Sequence, residues 1–194
     1  MTFLIENLKT VSETLIKLSA NQDQLNTCNG IIAKLATAFQ NQKKLIIFGN
    51  GGSACDAAHV AEEFTGRFRK NRKALPAIAI TEPGHITCVA NDFGYDAIFQ
   101  RGVEAFVQEG DMVIGLSTSG NSKNVIKGIQ KANDLGTTTV CFLGKEGGKL
   151  KGMATHEIIV PCQTADRIQE VHKVLLHSII EGVERKLFPE NYEE

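Results

Sequence analysis

The sequence lacks several features, and each absence excludes a class of protein. No apolar run is long enough to span a bilayer, so no membrane-crossing helix and no membrane partner are expected. The first residues lack the basic-then-apolar pattern of a secretory signal, and the protein is read as cytoplasmic. Neither sign of charge is in excess: 21 Lys and Arg stand against 22 Asp and Glu, a formal net charge of -1. Nothing global therefore draws the chain to nucleic acid, which is not expected as a partner. The five cysteines, Cys28, Cys55, Cys88, Cys141 and Cys162, contain no C-x-x-C. They read as reduced, mostly buried thiols, with Cys55 a small space-filler. No G-K-[ST] is present, which excludes a Walker loop. What remains is 194 residues, 42% hydrophobic and 22% charged, enough for one α/β domain with a helical extension.

The chain is organised around Leu45 to Arg67, LIIFGNGGSACDAAHVAEEFTGR. Leu45-Ile46-Ile47-Phe48 is a short, β-branched apolar run and reads as a buried strand. Gly49-Asn50-Gly51-Gly52-Ser53 reads as a tight turn, and Ala54 to Phe64 as a helix. A strand, glycine turn and helix start together present bare N–H groups and a positive helix end, the usual means of holding an anion in α/β folds. On that helix His59 and Glu63 are four residues apart and share a face.

Upstream, Leu4, Leu8, Val11, Leu15 and Leu18 recur at steps of 4, 3, 4 and 3 within residues 1–20. That is the seam of a helix packed along another, either in its own domain or between subunits. A second helix starts at Asp23 or Asn26 and carries Leu25, Ile31, Ile32, Leu35 and Phe39. Downstream, Arg67 to Lys73 is a basic run, read as a solvated loop or as a source of one arginine for an anionic ligand. Pro76–Thr81, Met112–Leu116, Thr138–Leu143 and Glu157–Val160 are the remaining strands. Helices are expected at His85–Ala90, Ala97–Val107 and Lys123–Leu135, with a turn at Asn91–Gly94. A glycine-rich turn and a short helix follow the fourth strand. Thr164 is expected to cap a last helix through Leu187, with Asp166 in its first turn. Strands alternating with helices specify a parallel sheet covered on both faces, whose ligands bind outside the carboxyl ends of the strands.

A second loop, Ser117-Thr118-Ser119-Gly120-Asn121-Ser122, also leaves the carboxyl end of a strand and can share a crevice with the first. Four hydroxyls in six residues exceed what a helix cap needs and can surround a phosphate. The first loop formally fits G-x-G-x-x-A, but the acidic residue of a dinucleotide fold is missing about 20 positions on. The last helix adds Gln169, Glu170, His172 and His177. The two histidines are five apart and face different ways, so at most one shares a face with the site.

These residues carry a resemblance. GNGGSACDAAHVAEEFTGR, CVANDFG, STSGNS, LGKEGGKLKG and ADRIQEVHKVLLH make the chain similar to the sugar isomerase (SIS) domain family and, within it, to the phosphoheptose isomerases. STSGNS marks any SIS domain; HVAEE with ADRIQEVH and His177 is more specific. The resemblance implies one SIS domain over residues 1–194: a three-layer, flavodoxin-like, doubly wound α/β fold with a five-stranded parallel sheet. Residues 1–40 would be N-terminal helices used in oligomerisation. It implies a homotetramer with shared active sites that interconverts sedoheptulose 7-phosphate and a heptose 7-phosphate for bacterial surface polysaccharide.

Carried over by residue, Glu63 resembles the base and His177 its acid partner. Ser117, Thr118, Ser119 and Ser122 resemble the phosphate cradle, and Asn50, Gly51, Gly52, Asn91, Asp92 and Gln169 resemble sugar contacts. The resemblance implies zinc on His59, Glu63, Gln169 and His177, and no nucleotide cofactor. Glu63 cannot easily be both a tight ligand and a free base, so zinc is expected as an occupant with an open catalytic role. The chain departs from the family at Thr81-Glu82-Pro83-Gly84.

Gln169 and His177 are eight residues apart, roughly 12 Å along a helix. One metal is therefore expected to take them from different chains. The competing readings are a non-enzymatic SIS regulator resembling the DnaA initiator-associating protein, which Leu187-Phe188-Pro189 resembles, and a sugar-phosphate sensor. The regulator group lacks the counterparts of Glu63 and His177, both of which are present here.

Overall fold

In the computed structural model, which describes residues 2–193, the five apolar runs form one sheet. Met1, part of the expected first helix, and Glu194 lie outside the described residues. The strands are β1 (Leu45–Gly49), β2 (Ala77–Ala79), β3 (Met112–Ser117), β4 (Thr138–Gly144) and β5 (His156–Val160). All pairs are parallel, in the order β2-β1-β3-β4-β5. The helices are α1 (Thr2–Ser19), α2 (Gln22–Gln40), α3 (Gly52–Thr65), α4 (Pro83–Phe93), α5 (Ile98–Phe106), α6 (Lys123–Asp134) and α7 (Ala165–Leu187).

Alternate strand residues point to opposite faces, so a parallel sheet builds two cores. Leu45, Ile47, Ile114, Leu116 and Phe142 pack beneath α2, α3 and α7. Ile46, Phe48, Val113, Cys141 and Leu143 pack beneath α4, α5 and α6. This is the doubly wound, three-layer class expected. From β1 the chain enters α3 on one face; from the neighbouring β3 it enters α6 on the other. Folds of this class bind ligands outside the strand ends at such a reversal, and both expected loops leave their strands there.

Helix α1 packs only through its second half. Leu18, Val11 and Leu15 lie with Val160, Cys162, Ile168 and Val171. Leu4 and Leu8 of the same seam, with Phe3 and Ile5, remain 49–68% exposed.

Several boundaries differ from expectation, each for a local reason. Asn21 caps α2 by accepting from the Gln24 N–H at 3.1 Å, so neither Asp23 nor Asn26 starts it. Gly52 and Ser53 belong to α3 and not to the turn. The Glu82 carboxylate accepts from the N–H groups of Gly84 and His85 at 2.9 and 2.6 Å, and Pro83 fits the first helical position. Helix α4 therefore starts in the departing loop and runs to Phe93, taking in Asn91 and Asp92, which were expected in a turn. Thr164 sits at the N-cap of α7 but makes no side-chain cap bond. The second strand, expected over Pro76–Thr81, is three residues, Ala77–Ala79, at the sheet edge. The thiols are all free but not mostly buried: Cys141 and Cys162 are buried, whereas Cys55 and Cys88 are exposed. Arg72, expected in a solvated loop, has a side chain only 1% exposed.

Candidate active site

Helices α3 and α7 lie side by side and run the same way, from the carboxyl end of the sheet toward its amino end. Contacts join them at successive turns. At the top, a Cβ on Gly52 would lie 2.7 Å from Gln169 Oε1, so the Gln169 amide rests on the first turn of α3. One turn lower, Lys173 Nζ is 2.9 Å from Asp56 Oδ1. Lower again, His59 Nε2 and His177 Nε2 are 2.8 Å apart. The steps of 4 and 3 on α3 and 4 and 4 on α7 keep these residues on facing sides.

Glu63 joins the third contact, its Oε1 3.5 Å from His59 Nε2. Ligand atoms of His59, Glu63 and His177 all lie within 4.8 Å of one another. Burial, and then the neighbouring Glu62 charge, push the Glu63 carboxyl up; Glu184 also raises it, while His59 and Arg72 pull it down. Burial, and then the His59 charge, push the His177 imidazole down. Phe68 tilts against His177 with ring centroids 5.7 Å apart and covers one side. His59 Nδ1 lies 3.0 Å from Glu62 Oε1. A carboxylate there favours the proton on Nδ1 and turns the Nε2 lone pair toward Glu63 and His177, the orientation a metal-binding imidazole needs. Two imidazoles and a carboxylate suit zinc, so the donor set fits that metal. Gln169, two turns above His59, is outside this cluster within one chain.

The histidine choice left open by spacing is settled by packing. His172 is fully buried and its Nε2 donates to the Leu143 carbonyl at 2.9 Å, tying α7 to β4. Burial pushes its pKa down to about 4. It is a core residue, and His177 is the one that meets His59 and Glu63.

The loops above are rigidly tied. Asn50 and Asn124 exchange amide hydrogen bonds, Nδ2 to Oδ1, at 2.9 and 2.8 Å. Tyr95 Oη donates to Asn50 Oδ1 at 2.9 Å. The Asn50 side chain thus bridges the first loop to α6, and the face left toward the crevice is the backbone around Gly51, whose φ of +56 favours glycine. Asn124 and Tyr95 were missed in the sequence. Nothing local distinguishes them, because the partners are 74 and 45 residues away.

In the second loop Ser117 Oγ donates to Ser122 Oγ at 3.3 Å, and Ser119 Oγ accepts from the Asn121 N–H at 3.1 Å. Ser122 is the N-cap of α6 yet makes no side-chain cap bond. Ser122 is therefore not spent as a cap, and its hydroxyl and that of Ser117 meet at a helix start suited to an anion. Gly120 has φ +64, and a Cβ there would sit 1.9 Å from the Gly147 carbonyl oxygen, so the Gly147–Leu150 turn braces this loop from behind. Leu150 N–H donates to Gly120 O at 3.0 Å and Lys149 N–H to Asn121 Oδ1 at 3.1 Å. Asn91 and Asp92 are exposed on the last turn of α4; Asn91 Nδ2 donates to Asp92 Oδ1 at 2.8 Å. Cys55, with Gly52, Asp56, Gln169 and Lys173, lines a crevice between α3 and α7.

Comparison with known proteins places this geometry. A family model for the SIS domain matches residues 8–144. The phosphoheptose isomerase of Fusobacterium nucleatum is 58% identical over 191 residues, covering 98% of this chain and 98% of that protein. That of Pectobacterium atrosepticum is 47% identical over 181 residues, 93% of this chain and 94% of that protein. Among solved structures, phosphoheptose isomerase from Neisseria gonorrhoeae superposes with a TM-score of 0.82 at 30% identity, over 94% of this chain and 95% of that one. With near-complete coverage in both directions, the chain belongs to the phosphoheptose isomerase family of SIS-domain proteins.

Proposed function

We propose that this protein is an aldose–ketose isomerase interconverting sedoheptulose 7-phosphate and D-glycero-D-manno-heptose 7-phosphate, the first step toward the heptose of a bacterial surface polysaccharide. The observation that carries the reading is the convergence of Glu63, His59 and His177 on one point between α3 and α7, in a chain 58% identical to a phosphoheptose isomerase.

Glu63 is assigned as the base. Its carboxylate takes a proton from C1 of the ketose and returns it to C2, through an enediolate. His177 moves the proton between the two oxygens. Its lowered pKa suits a neutral imidazole that donates and recovers one proton near neutral pH. The hydroxyls of Ser117, Thr118, Ser119 and Ser122, with the α6 N-terminus, hold the phosphate. The loop around Asn50, Gly51 and Gly52, with Asn91, Asp92 and Gln169, holds the sugar hydroxyls. His59, Glu63 and His177, with Gln169 from another subunit, would hold zinc. Bound there, zinc supplies Lewis-acid polarisation of the carbonyl and stabilises negative oxygen.

Dimensions support shared sites. Eleven residues separate Gly52 from Glu63, a rise of roughly 16 Å along α3. An extended seven-carbon chain built from bonds of about 1.5 Å reaches only roughly 10 Å from C1 to its phosphate. A sugar held by the loops of one chain therefore meets the Glu63–His177 pair of a neighbour. Within a homotetramer, the exposed apolar half of α1 supplies contact surface between subunits. We assign the whole chain to one SIS domain, with residues 1–40 used in assembly, and five free thiols fit the reducing cytoplasm.

The test is incubation of the purified protein with sedoheptulose 7-phosphate beside Glu63→Gln. The native protein turns the ketose over and the variant loses at least about 100-fold in kcat. No turnover by the native protein would refute the reading.

A further inference from the structure

Arg72 lies in the segment between α3 and β2, and its guanidinium is buried, 1% exposed. Burying a charge is costly unless every donor is matched. Here Nη2 donates to the Glu63 carbonyl at 2.6 Å. Nη1 donates to the carbonyls of Phe64 and Gly66 at 2.8 and 2.7 Å. Nε donates to Glu184 Oε1 at 2.7 Å. The other oxygen of Glu184, also 1% exposed as a side chain, accepts from Tyr192 Oη at 2.8 Å. Tyr192 is held in turn beneath Arg185, whose guanidinium carbon is 4.5 Å from the ring centre.

Two of those acceptors, Glu63 and Phe64, are terminal carbonyls of α3, which have no partner within the helix, and the third, Gly66, is its C-cap. A cation there is favoured by the helix dipole. Glu63 stands in the last turn of α3, where helices ordinarily fray. Arg72 closes that turn through the carbonyl of Glu63 itself. Glu184 stands seven residues, two turns, beyond His177 on the same face of α7. One guanidinium therefore fixes the end of the helix that carries Glu63 to the helix that carries His177. A hydrophobic pair of similar size commonly gives equal stability at such a site, so what the ion pair adds here is placement.

We propose that Arg72, gripped by Glu184 and latched by Tyr192, is a positioning residue that sets the spacing of Glu63 and His177. The proposal rests on the isomerase reading, under which these two groups must meet the reacting carbons together. A misplacement of about 1 Å costs on the order of 100-fold in rate, while phosphate binding at the distant hydroxyl loop is untouched.

The experiment measures kcat and KM for sedoheptulose 7-phosphate, with thermal melting, on the native enzyme and on Arg72→Lys. Lysine keeps the charge but cannot span three carbonyls and a carboxylate. Native turnover comes first; without it the isomerase reading fails, whatever the variants do. Given turnover, Arg72→Lys loses about 10- to 100-fold in kcat per folded molecule with KM changed less than about 3-fold. Native kcat per folded molecule, or a raised KM with kcat intact, overturns the proposal. If Arg72→Lys does not fold, the pair Arg72→Met with Glu184→Leu, which leaves no unmatched charge, is read by the same criteria. Tyr192→Phe, near the chain end, is the mildest probe: it loses about 3-fold in kcat at constant KM, and an unchanged kcat there refutes the latch.

Discussion

Gly52→Ala tests the topmost contact between α3 and α7. Gly52 has ordinary helical backbone, so alanine is conformationally acceptable, and helix propensity favours it by up to about 1 kcal/mol. The added methyl would lie 2.7 Å from Gln169 Oε1 and 2.9 Å from its Cδ and Nε2. Ordinary contact begins at 3.4 Å, so the amide must retreat by several tenths of an ångström. Stability is expected to hold, with the melting point within about 3 °C of native. Function is expected to fall, because displacing one polar contact to sugar or metal costs about 1–1.5 kcal/mol, roughly 10-fold in kcat/KM. The assay is a double-mutant cycle of native, Gly52→Ala, Gln169→Ala and the double variant. If the methyl acts by moving Gln169, it costs nothing more once Gln169 is gone, and the double variant matches Gln169→Ala. Additive losses would show that the methyl itself blocks the crevice and would refute the reasoning. So would a fully active Gln169→Ala.

Three further predictions follow from other parts of the molecule. Burial lifts the Glu63 carboxyl above its ordinary range and holds the His177 imidazole below its own, so the two titrations move toward each other. The kcat/KM profile should climb through acid pH and stay level between about pH 6.5 and 8; a fall across that window would mean a charged imidazole is the working form. Asp111, 1% exposed, accepts from Lys44 N and Gln108 N at 3.0 and 2.7 Å and pairs with Lys44 Nζ at 2.6 Å, joining β1 to β3. Asp111→Ala should cost about 3 kcal/mol, a melting drop of roughly 6–12 °C, and a drop under about 2 °C would contradict the role given to this pair. Finally, Glu63→Gln and Ser119→Asp should each be inactive alone, the second by repelling phosphate. Exchanging their subunits should restore about a quarter of the sites, and no recovery in verified mixed oligomers would exclude shared sites.

The sheet was legible because each core strand is a short β-branched run bounded by glycine or polar turns, signals that depend only on neighbours. The start of α4 was not, since Glu82-Pro83-Gly84 reads as a loop until one sees the carboxylate folding back onto two N–H groups. His59 and Glu63 were legible as a pair from their spacing of four. Spacing alone left His172 and His177 open, the resemblance pointed to His177, and the sheet beneath supplies the physical reason. One histidine meets the Leu143 carbonyl and the other meets His59. Arg72 was the deepest miss. Five basic residues in seven look like a solvated loop, and the carboxylate that buries one of them lies 112 residues away. Local composition carries no trace of such a partner.

The rungs between α3 and α7 also bear on motion. Under the roles proposed above, the Glu63–His177 pair and the loops of one chain could serve the same sugar only if α3 and α7 moved upward by about two turns. Such a slide would carry Ala57, Val60 and Phe64 of α3 off the sheet face they pack on. It would also drag Leu176, Ile179 and Ile180 off the sheet face they share with Ile47 and Phe142. Packed cores resist continuous deformation of that kind. Helix closure within a subunit is thus too costly a route to a working site, whereas a neighbour's loops brought over the pair require no internal rearrangement. Under the proposed shared-site reading, the same rigidity that holds the carboxylate and imidazole at a fixed spacing favours assembly over hinge motion as the step that completes the site.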